Sequence, residues 1–453
     1  MKKIVLSALG AMAFCFSSSA LEIAVTPGSL NASKLTINNT RDAQLKLSGS
    51  ASAADLELLK FISPSIKTLD LSALSLPEGV MPDMMLIGSN VESVILPEDL
   101  KSIGTSAFAS SAIKSIVVPQ SVTKIGDRAF AACSNLVSVI VQGNPTLGTG
   151  IFKDDVNLTE VNFDADITEV PDRTFENCSK YARPVPSDVT KIGAYAYCGT
   201  ALKSVNLTKV SEVGDFAFAN CADLVELDID YEHEMTVGKG AFFADASVAE
   251  LPFLYGFYPS LVMAGTAGTV DLDLNGDSIE EAAFANNNSV RTLRLGADVK
   301  SIKAHAFRNM GSLETVNVNP LGTNIPETDD LAFSGLENAE GRYDILLHVK
   351  QKTGDVWREH PVWRLFNIVD GGADVGSVTD SELANVGVTR NGGTVIVRSN
   401  GSIDSVAVYS LDGKTVWQGN PNADSAEIDG LPEDDVLIVK VVSKGAIKVV
   451  KLK

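Results

Sequence analysis

The chain of 453 residues carries 57 Asp and Glu against 37 Lys and Arg, a net charge of −20 at pH 7. So acidic a surface argues against nucleic acid as a partner, because phosphate neutralisation needs a clustered positive field. It argues equally against plain electrostatic docking on anionic lipid. With 45% hydrophobic and 21% charged residues, the composition is that of a folded protein long enough for about three domains.

Residues 1–20 read as a secretory signal. Lys2-Lys3 precede an apolar run from Ile4 to Phe16, and Ser18-Ser19-Ala20 supplies small residues for cleavage near Ala20. The run is too short and wrongly flanked for a membrane span, and no other stretch is long and apolar enough for one. Cys15 raises the question of a lipid anchor, but the residue before a lipidated Cys is normally small and here it is Phe14.

Between residues 108 and 333 an aromatic, usually after Ala, returns ten times. Phe108, Phe130, Phe152, Phe175, Tyr197, Phe218, Phe242, Phe284, Phe307 and Phe333 are spaced by 22, 22, 23, 22, 21, 24, 42, 23 and 26 residues. The 42 is two periods with one marker lost, filled by a weak copy near Met263; Met85, 23 before Phe108, marks another. A period of this length means stacked supersecondary units, each unable to bury its apolar face alone. Counting back 14, 12, 8 and 5 from Phe307 gives Leu293, Leu295, Val299 and Ile302; Phe130 gives Ile116, Val118, Val122 and Ile125. The first two alternate with outward residues, as in a half-buried strand. The next two precede a Gly such as Gly104, Gly126 or Gly193, which suits a turn needing a permissive backbone.

The run from Pro119 through Val122, Ile125-Gly126, Ala129-Phe130 and Cys133 to Leu136-Val-Ser-Val139-Ile-Val141 resembles the BspA-like leucine-rich repeats of bacterial surface proteins. The resemblance covers roughly residues 40–370. It implies a mainly β solenoid, a right-handed leucine-rich repeat stack of about 12 coils of 21–24 residues, each a short strand plus a turn or short helix. Residues 21–60 resemble the capping segment that precedes such repeats, with Leu45-Lys-Leu47 as strand and Ala54-Asp55-Leu56 as short helix. The solenoid then occupies 61–370 and closes on Trp357, Trp363 and Phe366, similar to the W-x-x-F-x-x-I ending of that family.

Four cysteines remain after cleavage: Cys133, Cys178, Cys198 and Cys221. An even number in an exported chain invites disulfides. However, Cys133, Cys178 and Cys221 each lie three residues after an aromatic and two coil steps apart, roughly 10 Å at the strand spacing, beyond disulfide reach. Cys198 sits one residue after its aromatic. Buried free thiols are expected.

Two fragments imitate metal sites. Asp271-Leu-Asp273-Leu-Asn275-Gly276 starts like a calcium loop, but its twelfth position is Ala282 instead of a bidentate acid. His233-Glu234 starts like a zinc-protease helix, but the second His falls at Val237. No metal, no cofactor and no catalytic residue is expected, and the chain does not read as an enzyme; phosphate loops, dinucleotide fingerprints and nucleophile elbows are all missing from the sequence.

Residues 371–383 form a glycine-rich linker, and beyond it the period gives way to short strands over 384–453. These predict a small antiparallel β-sandwich with a hairpin turn at Asp412-Gly413. Val408-Tyr409, Gly413-Lys414 and Ile438-Val-Lys-Val441 resemble a type IX secretion sorting tail, although Asp434-Asp435-Val436 stands where that family usually has Gly and an aromatic. A plain β-module is the alternative. The sorting-tail resemblance implies secretion or display on the outer surface of a Gram-negative envelope.

With no catalytic chemistry in view, function falls to the outward strand residues. One column reads Ser93, Ser115, Ser138, Glu160, Ser204, Glu226, Thr292 and Thr315. The next, the candidate partner-binding face, reads Ile95, Val117, Ile140, Asn162, Asn206, Asp228, Asp271, Arg294 and Asn317. Its first three members make an apolar patch beside a hydroxyl rail, either a docking site or the ordinary strand preference of β-branched residues. The BspA resemblance implies an adhesin-like role toward a host protein, matrix component or glycan; a structural or assembly scaffold of the cell envelope is the alternative. The thiol reading is directly checkable: the cleaved, denatured protein should titrate as four free thiols whether or not reductant is added.

Overall fold

The computed structural model describes residues 21–31, 35, 43–62, 64–228, 235–245, 257–266, 271–371, 387–391, 393–410, 415–432, 437–443 and 446–452. The signal segment, the linker over 372–383, His233-Glu234, Asp412-Gly413 and Asp434–Val436 lie outside the described residues. Two compact units are present, one of residues 1–315 with 325–345, the other of 316–324 with 346–453.

The first unit is a solenoid of parallel strands. A seven-stranded sheet runs through Leu21–Val25, Ala43–Ser50, Ile66–Ser75, Ser93–Ile95, Ser115–Val118, Ser138–Val141 and Glu160–Phe163. The capping segment thus supplies its first two strands, followed by a short helix Ala53–Glu57. Asp55 ties that cap together. Its carboxylate accepts the Ser52 hydroxyl and the Ser52, Gly28 and Leu30 N–H groups at 2.6–2.8 Å. Burial opposes its charge, but these four donors prevail and hold the carboxyl down at about 2. Two-residue strands such as Ser102–Ile103 and Lys124–Ile125 pair along a second edge of each coil.

The strand face breaks after Phe163 for a local reason. The corresponding stretch of the next coil contains Pro184 and Pro186, which have no N–H to give the ladder, and no strand forms there. Pairing resumes with Ser204–Asn206 beside Glu226–Asp228.

Around each aromatic the coil turns without a helix. From Phe108 to Phe307 the residues two before and two after it are left-handed, for example Arg128 and Ala132, Arg173 and Asn177, or His305 and Asn309. This alternation sends every second N–H to the next coil: Phe108 N donates to Ala129 O, Phe130 N to Ile151 O, Tyr197 N to Ala217 O. Asn and Gly recur at the second left-handed site (Asn177, Gly199, Asn220, Gly265, Asn286, Asn309), where they cost least. The same ladder corrects one register: Leu86, not Met85, takes the aromatic position, because Leu86 N donates to Ala107 O. Met263 fills the missing marker, donating to Ala283 O.

The aromatics themselves form two stacks. Rings from Phe108 to Phe242, and from Phe284 to Phe333, sit 5.1–5.9 Å apart, tilted by at most 25°. The coil glycines do a different job from the one their turn position implies. Gly104, Gly126 and Gly193 are not left-handed. They mark where coils touch: a β-carbon on Gly126 would stand 2.7 Å from Thr105 N and 2.8 Å from Gly104 C.

In the second unit, Leu346–Val349 pairs in parallel with Asn367–Asp370, and Trp357 and Trp363 are fully buried in edge-to-face contact. The Trp357 indole N–H donates to Gly322 O at 2.9 Å. The C-terminal strands form an antiparallel sheet organised by one long strand, Thr394–Ser410. Its first half pairs with Gly387–Asn391 and Ala423–Ile428, its second with Thr415–Gly419 and Leu437–Ser443. The register shift between Arg398 and Ile403 lets one strand serve both halves of a small sandwich around Val397, Val406, Val408, Val439 and Val441.

Two substitutions test the packing. Phe130→Ala should destabilise by about 3–5 kcal/mol, the cost of a large core truncation. Gly126→Ala, often a harmless change, should cost about 1–3 kcal/mol here because backbone occupies the space. Denaturant unfolding measures both.

Candidate binding surface

The outward strand residues do align, coil upon coil. Thr68, Ser93, Ser115, Ser138 and Glu160 face one another in succession along the first column. In the second, Val117 lies opposite Ile140, and Ile140 opposite Asn162. Val117 is 45% exposed, while Ile95 and Ile140 are half-buried. The apolar patch is therefore present, centred on Val117.

The polar members of the column are occupied with one another. Asn162 donates to Glu160, which also takes the Arg183 guanidinium at 2.7 Å. Asn206 donates to Asp228 at 2.9 Å. Arg294 spans two acids, Asp273 at 3.0 Å and Asp271 at 3.3 Å. Exposed pairs of this kind add little stability, about 0–1 kcal/mol each, but they leave fewer unsatisfied charges for a ligand.

Two residues stand elsewhere than expected. Asp273, not Asp271, is the neighbour of Arg294; Asp271 pairs with Thr292 in the first column. The connection from Leu274 to Ile279 is two residues shorter than that from Leu295 to Ile302, so counting back from Phe284 overshoots the strand. Asn317 is only 5% exposed, and its Oδ1 accepts the Asn319 N–H at 2.9 Å. It closes a local turn of the second unit and presents nothing outward.

The chemistry least visible in sequence is buried. Three residues after each coil marker from Phe108 to Phe284, Met263 included, runs a closed polar column: Ser111, Cys133, Asp155, Cys178, Thr200, Cys221, Asp245, Thr266, Asn287. The three in-register thiols donate to the carbonyl of the preceding coil's aromatic, Cys133 to Phe108, Cys178 to Phe152 and Cys221 to Tyr197, at 3.0–3.2 Å. All four cysteines are buried and free. Burial pushes the Cys133 and Cys221 thiols up to about 12, with the nearby Asp155 and Asp245 carboxyls adding to it. Protonated and enclosed, they are poor nucleophiles.

Asp155 and Asp245 occupy the cysteine position four coils apart, each one coil after a cysteine. One oxygen of each accepts a backbone N–H, from Cys133 at 2.6 Å and Cys221 at 2.7 Å, while the other has no partner. Burial raises Asp155 well above the carboxylate range and Asp245 to about 8. Among the described residues no group of three or more His, Cys, Asp or Glu side chains converges on a metal position, and no helix is long and apolar enough to cross a membrane.

A family model described as a BspA type leucine rich repeat region matches in 6 copies over residues 68–182, 184–256 and 267–340, more than half of the chain. The crystal structure of a leucine-rich repeat protein from Bacteroides ovatus is similar at 20% identity and a TM-score of 0.52, covering 78% of this chain and 93% of that one. A leucine rich cell surface protein from Faecalibacterium prausnitzii is 17% identical with a TM-score of 0.40, covering 65% and 86%. None of the curated proteins matches the chain.

The buried acids make stability depend on pH. A folded-state value raised above the unfolded one means the folded protein binds more protons, so stability falls as pH rises from about 4 toward 8. Asp245→Asn keeps an acceptor for the Cys221 N–H and removes the titration. It should flatten that decline and raise the melting temperature at pH 8 by several degrees, read from melting curves across the range; the paired Asp155→Asn variant should act in the same direction.

Proposed function

The chain belongs to the BspA-type leucine-rich repeat family, and on that premise we propose that it is an exported, adhesin-like surface protein that binds and does not catalyse. Its ligand is a host protein, matrix component or glycan outside the cell, met on the strand face of the solenoid. The observation that carries this reading is the outward patch Ile95, Val117 and Ile140, repeated in register over three coils. Strand preference explains a β-branched residue at any one of these positions. A run of three, with the fully outward Val117 at its centre, makes a contiguous apolar surface of the kind partners cover. The thiols and raised carboxyls supply no competing site, since they are closed inside the stack.

Residues 1–20 serve as the export signal in this reading. The C-terminal module, similar in pattern to a type IX sorting tail, provides attachment or sorting at the outer surface. A scaffold role in the cell envelope is the second reading. It is favoured by the self-paired polar half of the ladder, Asn206 with Asp228 and Arg294 with Asp271 and Asp273, which holds little free charge for capture. Protease treatment of intact cells separates the two: an adhesin is cleaved, a periplasmic scaffold is protected.

The double variant Val117→Lys/Ile140→Lys should lose capture of ligand from host-cell and matrix extract while melting within a degree or two of the parent. Capture at the parent level would reject the patch as the docking surface.

A further inference from the structure

Directly beyond the patch, where three strands of the seven-stranded sheet end, lies a cleft of about 530 Å³. Gln120 lines it from one coil, Gln142, Gly143 and Asn144 from the next, and Asp164 and Ala165 from the third. Its origin is a length difference. Val118 and Val141 are strand partners, and so are Ile125 and Leu147. The middle coil therefore makes the crossing in one residue fewer than the coil before it. The floor is backbone: a β-carbon on Gly143 would stand 2.8 Å from Gln120 O.

The lining is chemically uniform. Gln120, Gln142, Asn144 and Asp164 are exposed, and among the described residues their side chains make no hydrogen bond or ion pair within the protein. This sets them apart from the polar groups of the strand column, which satisfy one another. Three carboxamides each offer two donors and two acceptors, and the carboxylate adds acceptors. No Lys or Arg lines the cleft, so nothing there compensates an anionic ligand. A single carboxylate is too little charge for a divalent cation site. No aromatic or large aliphatic side chain lines it either, and such an anchor is what a protein partner uses for most of its affinity. Hydroxyl groups, which donate and accept alike, match what remains.

We propose that this cleft binds a neutral oligosaccharide, whose hydroxyls bridge Gln120, Gln142, Asn144 and Asp164 across three coils. The volume falls in the usual range for a small-ligand site, about 300–1,000 Å³. The coil spacing of about 4.8 Å repeats the amide-bearing edges along an extended chain. The assignment rests on reading the strand face as the binding surface, and it names the ligand class at that surface's polar edge.

The test is titration of the purified full chain against neutral, sialylated and sulfated oligosaccharides. At least one neutral glycan should bind, and Gln142→Ala/Asp164→Ala should weaken it at least tenfold with an unchanged melting temperature. Three results overturn the assignment: no neutral glycan binding, equal or stronger binding of sulfated glycans, or binding unaffected by the double variant. Protein capture from extract that depends on Gln142 without glycan binding would give the cleft to a peptide instead. If the glycans fail while capture through Val117 persists, only the cleft assignment falls; if both fail, the strand-face reading falls with it.

Discussion

The close spacing of successive coils governs the regularities of the solenoid. In six coils the chains come so close at one corner that no β-carbon fits. This places glycine at Gly104, Gly126, Gly148, Gly193, Gly214 and Gly238, where backbone meets backbone within 2.8 Å of any added carbon. The approach of the coils brings Phe rings into parallel stacks at little more than the strand spacing. It also lets alternate N–H groups around the rings from Phe108 to Phe307 cross to the next coil, with left-handed residues two positions to either side. Stacked aromatics and left-handed Asn follow from the coil spacing, and persist where Glu280 and Lys303 replace the corner glycine.

The same closeness divides the chemistry of the chain. Groups that would be reactive on a surface, four thiols and two carboxyls, lie inside, where their hydrogen bonds join coil to coil. An unpartnered carboxyl oxygen in such a place is costly when ionised, and the raised values of Asp155 and Asp245 express that cost. Outside, repetition puts like residues beside like residues. The hydroxyl rail and the Val117 patch follow from this repetition, while complementary neighbours such as Asn206 and Asp228 neutralise each other's hydrogen-bonding capacity. Exposed polar side chains without a partner among the described residues gather where the repetition slips, at the shortened connection after Val141.

Much of this was legible in the chain. The recurring aromatic disclosed the coil count and the inward strand residues, because every coil must solve the same packing problem. Free thiols followed from their in-register spacing, and the end strands and closing tryptophans from the family resemblance. The errors have a common origin. Counting from the aromatic assumes constant connections, so it placed Asp271 beside Arg294 where a connection two residues shorter brings Asp273 there. The Met85 marker failed for a similar reason: a hydrogen-bond ladder fixes the aromatic position more finely than residue type does. The coil glycines were recognised as necessary but assigned to turn conformation, since sequence shows the residue and not the neighbouring chain that crowds it.

By itself, then, the sequence determined the stacked-coil architecture, the inward set and the acidic exterior, because these depend on periodicity and composition, which are properties of one chain read in order. Only the tertiary structure decided what lies between coils: that Asp155 and Asp245 share a sealed column with the cysteines, that Asn317 turns back on its own backbone, and that Gln120, Gln142 and Asp164 line one cleft. The relations between coils join residues one or two periods apart, and small differences in connection length shift them by more than a side chain's width.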